Sequence, residues 1–93
     1  MGVLPQKRIL AETTFSVLAE AEKPLKAAII NEMVARLLNI PDEILQIEDA
    51  NCTGTEYAYQ MRWVRTGMKK RGLIINPERG YWALASQKAD NIK

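Results

Sequence analysis

Apolar positions repeat with a helical period in three segments of the chain, and the pattern then turns extended. From Gln6 to Ala21, the residues Ile9, Leu10, Val17, Leu18 and Ala21 recur at helical spacing and line one face. Glu22-Lys23-Pro24 ends that helix, because a proline pushes the residue before it out of the helical region. Leu25 is expected as a short extended link. A second helix runs from Lys26 to Leu38 with a wide stripe of Ile29, Ile30, Met33, Val34, Leu37 and Leu38. Asn39 suits its C-terminal stop.

In NIPDEILQ, Pro41 fits a first helical turn and Asp42 and Glu43 favour its positive end, which predicts one or two turns over Pro41 to Gln46. Asp49 to Gly54 is small and polar and reads as a loop. The strongest pattern is Thr55 to Arg71. Thr53 or Thr55 can cap its start, and Tyr57, Met61, Val64 and Met68 share one face directed at the core. Gly72 supplies the left-handed residue that closes it. Leu73-Ile74-Ile75 and Tyr81 to Leu84 then read as two short strands around the turn residues Asn76 to Gly80. The polar ending ASQKADNIK is expected to be a frayed tail or linker.

An isolated hairpin is marginal in water, so this one must fold back on the helices. The expected fold class is α+β, mainly α: a winged helix-turn-helix with a three-helix core and a C-terminal β-hairpin wing. Residues 1–5 are expected to be a flexible N-terminus, 6–84 the winged-helix domain and 85–93 the tail. A length of 93 residues supports one domain with one compact core.

Composition narrows the function. One cysteine, Cys52, and no histidine exclude a Cys/His zinc site, a Ser-His-Asp triad, a Cys-His dyad and a disulfide within this chain. Cys52 itself reads as an inert loop thiol, and the cysteine usage suits a reducing, cytoplasmic setting. No apolar run approaches the roughly 20 residues that span a bilayer, and MGVLPQKRIL lacks the apolar centre of a signal peptide. The carboxylates are scattered, no Glu-x-Lys or Asp-x-Lys falls on an expected strand, and no glycine loop is built to cradle phosphate. Catalysis by this chain, a bound metal and a cofactor are therefore not expected.

Charge is unevenly placed. Residues 1–54 hold five Lys/Arg against eight Asp/Glu, whereas residues 55–93 hold eight against three. A basic half suggests a polyanion-facing surface on the C-terminal side, and reads equally as a solvated, lysine-rich surface. On the third full helix Tyr59, Arg62, Thr66, Lys69 and Lys70 lie opposite the buried stripe. Thr55, Glu56, Tyr59 and Arg62 are the expected base readers, with Lys69 and Lys70 over phosphate. Arg79 at the hairpin tip can reach phosphate or a minor groove. Lys69 and Lys70 also suit the negative end of the helix dipole.

Trp63 is expected to contact the core or the hairpin rather than stack on a base. Of Tyr81 and Trp82, one should face the core and one solvent. Arg65 reads equally as a bridge to Glu12, Glu20 or Glu32 and as a DNA contact. Gly67 weakens its helix, and close approach of another backbone is one reason for it.

The run TEYAYQMRWVRTGMKKRGLIINPERGYWAL, positions 55–84, resembles the N-terminal domain of Mrr-type restriction endonucleases. The resemblance rests on an aromatic near the helix start (Tyr57), a Trp-x-Arg-Thr segment (Trp63, Arg65, Thr66) and Lys69-Lys70 ahead of Gly72-Leu73. A Pro-x-Arg-Gly-x-Trp hairpin (Pro77, Arg79, Gly80, Trp82) completes it. It implies a winged-helix DNA-binding module, commonly fused to a nuclease domain of the PD-(D/E)xK type, which this chain lacks. The alternative is a protein-interaction or homodimerisation module, since winged helices are reused for docking and fold does not fix function.

Overall fold

The computed structural model describes residues 4–50 and 54–86. The elements in order are α1 (Lys7–Ala21), β1 (Leu25–Lys26), α2 (Ala27–Leu37), α3 (Asp42–Leu45), α4 (Glu56–Lys70), β2 (Ile74–Ile75) and β3 (Tyr81–Leu84). The protein is mainly helical with a small three-stranded antiparallel sheet in the order β1-β3-β2. That order of elements is the one expected of a winged helix-turn-helix.

Local chemistry sets the boundaries. Glu22 ends α1 in the left-handed region at φ 57°, its N–H held by the Leu18 carbonyl. Asn39 also takes a positive φ, 54°, just beyond α2, a conformation its short polar side chain tolerates. Gly72 follows α4 at φ 77°, where a Cβ would be strained. Thr55 caps α4: its side-chain oxygen accepts the Ala58 N–H at 3.1 Å. Thr53 and Cys52 lie outside the described residues.

Leu25 is more than the extended link expected of it. With Lys26 it forms β1, which pairs with β3 in the register Leu25↔Trp82 and Lys26↔Tyr81. β2 pairs on the other side, Ile74↔Leu84 and Ile75↔Ala83. The hairpin is thus clamped by a third strand lying between α1 and α2. A two-residue strand shows no alternation of its own, and only its partner reveals it.

One core joins the layers. Leu10, Val17 and Leu18 of α1, Ile30 and Val34 of α2, Met61 and Met68 of α4, and Ile74 of β2 are all buried. Burying each such side chain contributes roughly 1.5–3 kcal/mol. Thr14 is fully buried among them and satisfies its hydroxyl by donating to the Leu10 carbonyl at 2.8 Å. Leu4 packs against this core from the N-terminal side.

The expected stripe on α2 is only half used. Ile30 and Val34 are buried, but Ile29, Met33 and Leu37 are exposed. Six apolar positions covered nearly half the circumference of the helix, more than a core this small can cover. Among the described residues no helix is long and apolar enough to cross a membrane.

Candidate nucleic-acid interface

The geometry of the site begins with how α4 is fixed. Tyr57, Met61, Val64 and Met68 are buried, as their spacing requires. Arg65 joins them at 7% exposure and, of its two readings, the bridge to an acid does not form: it meets neither Glu12, Glu20 nor Glu32. Its Nη1 donates instead to Asn31 Oδ1 at 2.6 Å, and its guanidinium lies 5.8 Å from the centre of the Trp82 ring. Tyr57 donates its hydroxyl to the backbone carbonyl of the same Asn31 at 2.7 Å. Both ties pull α4 onto α2, and the ring brings in β3.

Burial sets the titration of this pair. It pushes the Tyr57 hydroxyl up to about 12, the nearby Arg65 charge pulling the other way. Burial also lowers Arg65, opposed by Tyr57 and assisted by repulsion from Arg62. Arg65 is therefore a framework residue rather than a DNA contact.

The opposite face of α4 is open. Arg62, Lys69 and Lys70 are exposed, and among the described residues no carboxylate pairs with Arg62, Lys70 or Arg79. Glu56 is exposed at the start of the same helix. Thr55 uses one of its oxygen lone pairs on the cap, which leaves its hydroxyl hydrogen free to donate. Thr66 is the reverse: its hydroxyl donates to the Arg62 carbonyl at 3.0 Å and keeps an acceptor facing out. Arg79 stands exposed in the turn between β2 and β3.

Trp63 is more open than a core contact requires: it is 49% exposed and lines a groove with Val64, Met68 and Leu73. Its place on the wheel, next to Tyr59 and away from Tyr57 and Met61, explains why. Tyr59 is half-buried against it, with ring centres 6.2 Å apart and planes at 74°, an edge-to-face pair. The pair adds a rigid aromatic step to the basic face, with Trp63 the residue that sequence reasoning left out.

The hairpin is wired to the helix. Lys69 Nζ donates to Asn76 Oδ1 at 2.8 Å, and Asn76 Nδ2 donates to the Tyr81 carbonyl at 2.8 Å. Lys69 thus positions the turn with one donor and keeps the others for an anion. On the far side Lys26 lies 5.8 Å from the centre of the half-buried Tyr81 ring, while Trp82 packs against the core. Asn76 was legible only as turn chemistry; its Asx character was the available signal. Among the described residues no group of three His, Cys, Asp or Glu could hold a metal ion.

Residues 10–91 match the Mrr N-terminal domain. The chain belongs to that family. The match takes in α2, α3, α4 and the whole sheet, so the Mrr N-terminal domain extends well before the motif-bearing stretch from Thr55 to Leu84. No curated protein and no solved structure matches the chain.

Proposed function

We propose that this Mrr N-terminal domain is a winged-helix module that binds double-stranded DNA, with α4 in the major groove and the hairpin as wing. The observation that carries the reading is the unneutralised cationic face of α4 beside an exposed turn cation. Arg62, Lys70 and Arg79 are exposed and, among the described residues, free of carboxylate partners, and a phosphate backbone neutralises such a surface with release of counterions. Arg62 and Tyr59 are the base readers, with Thr55 and Thr66 as donor and acceptor near them. Lys69, Lys70 and Arg79 hold phosphate.

The family supports a role in a restriction system, in which this chain recognises the target and a separate nuclease domain, fused or associated, cuts it. The chain itself supplies recognition and no catalysis. Selection of bound sequences from a random duplex pool, with methylated cytosine and adenine included, tests this. An enriched motif that changes with Arg62→Ala supports the reading, and a pool that emerges unenriched removes it.

A further inference from the structure

Three exposed apolar side chains converge on one open groove, and one of them, Trp63, also pairs with the base reader Tyr59. Phe15 of α1, Trp63 of α4 and Leu73, just ahead of β2, are 42%, 49% and 39% exposed and all line it. The groove holds about 590 Å³ between α1 and α4, with Met68 and Gly67 among its lining. Lys7 and Phe15 lie two turns apart on α1, as do Trp63 and Arg71 on and just beyond α4. The groove is therefore roughly 12 Å long at 1.5 Å per residue. Among the described residues its cations are Lys7, Arg8 and Arg71, against a single acid, Glu12.

Gly67 makes the groove more than a leftover. Glycine weakens the interior of a helix, and close approach of this chain's own backbone does not explain it here. A Cβ built at Gly67 meets nothing within 4 Å, which corrects the expectation of an internal backbone contact. The missing side chain keeps the groove deep without serving the fold. Large apolar side chains held in water around such a floor mark an interaction surface.

We propose that this groove docks an acidic amphipathic helix of a partner protein. A helix presents apolar anchors at i, i+4 and i+7 along about two turns, which the groove length accommodates. Its carboxylates would meet the excess of rim cations over acid, and a basic helix would be repelled. The proposal does not depend on the DNA-binding reading, since Tyr59, Arg62, Lys69, Lys70 and Arg79 are not among the described residues that line the groove.

Fluorescence anisotropy tests it with a labelled peptide of about 16 residues, long enough to hold a helix. The peptide carries leucines at i, i+4 and i+7, three glutamates flanking them and alanine elsewhere; a second replaces every glutamate by lysine. The acidic peptide is expected to bind at least about tenfold more tightly than the basic one. Gly67→Leu, whose Cβ would meet nothing within 4 Å, and Arg71→Glu should each weaken it about tenfold. For Gly67→Leu, the melting temperature and duplex DNA affinity should stay at or above the wild-type level. Equal binding of both peptides, no binding near 1 mM, or an unaffected Gly67→Leu overturns the proposal. Loss of DNA affinity in Gly67→Leu would put the groove in the DNA interface, and self-association abolished by Gly67→Leu would make a second copy the occupant. Either result also overturns it.

Discussion

Arg65 donates a 2.6 Å hydrogen bond to the side-chain oxygen of Asn31, so that a buried cation joins α4 to α2. The same guanidinium faces the Trp82 ring, and its Nε is buried without an acceptor. Arg65 is thus held by one strong hydrogen bond and a ring face, with no carboxylate among the described residues. Removing it should loosen the angle at which α4 is presented.

Arg65→Ala is expected to destabilise the protein by about 2 kcal/mol, the size of a charge-assisted bond plus a cation–π contact less the relief of desolvation. Arg65→Lys should recover less than half, because lysine lacks the planar fork that meets Asn31 and the ring together. Urea denaturation measures both. An Arg65→Ala protein as stable as wild type would show the contact to be incidental.

Tyr57 predicts a specific response to alkali. Its folded pKa, about 12, lies above the ordinary value of 10.0. The neutral phenol is therefore favoured in the folded state, and the stability it contributes is complete below pH 10. It is lost as pH rises through 12, by roughly 2 kcal/mol in total. The stability advantage of wild type over Tyr57→Phe should shrink across that window and stay flat below pH 9. A constant difference from pH 8 to 12 would count against the buried phenol.

Much of this framework was legible in the sequence, and the misses have physical causes. The buried face of α4 followed from Tyr57, Met61, Val64 and Met68 because a long, strongly periodic helix has one way to face a core. β1 was missed because Leu25 and Lys26 are too few to show a period. The α2 stripe was half wrong because apolar residues can exceed the area available to bury them. Asn31 was overlooked although it lies between Val34 and Ala35 on the helical wheel, inside the buried arc. A polar residue there calls for a partner, and Arg65, on the flank of the α4 stripe, was the candidate.

The basic face was legible as a set of residues, but the division of labour within it was not. That Lys69 serves the turn through Asn76, and that Thr66 turns an acceptor outward, depends on which neighbour lies within hydrogen-bond reach. Spacing along one helix does not encode that.

Asn76 should hold the hairpin turn in place. Asn76→Ala removes both the Lys69 contact and the bond to the Tyr81 carbonyl and should cost about 1 kcal/mol. Amide hydrogen exchange should accelerate in the turn from Asn76 to Gly80 while the amides of α1 keep their protection. Uniform acceleration across the chain would mean that the effect is global rather than local.

Thr55→Ala tests the start of α4. Losing the cap to the Ala58 N–H should cost about 1 kcal/mol of stability, and Thr55→Ser should restore most of it. Circular dichroism melts of the three proteins compare them directly. Equal melting temperatures would show that the cap contributes nothing.

The central claim is that the open face of α4 and the hairpin bind duplex DNA. Titration of a labelled duplex at a series of salt concentrations between about 50 and 200 mM tests it most directly, since every neutralised phosphate contributes to the slope of log affinity against log salt. The account predicts binding at the low end that falls steeply with salt, with Lys70→Ala weakening all duplexes alike and reducing the slope by about 1. Absence of affinity for any duplex at about 50 mM salt, or binding indifferent to salt, would contradict it.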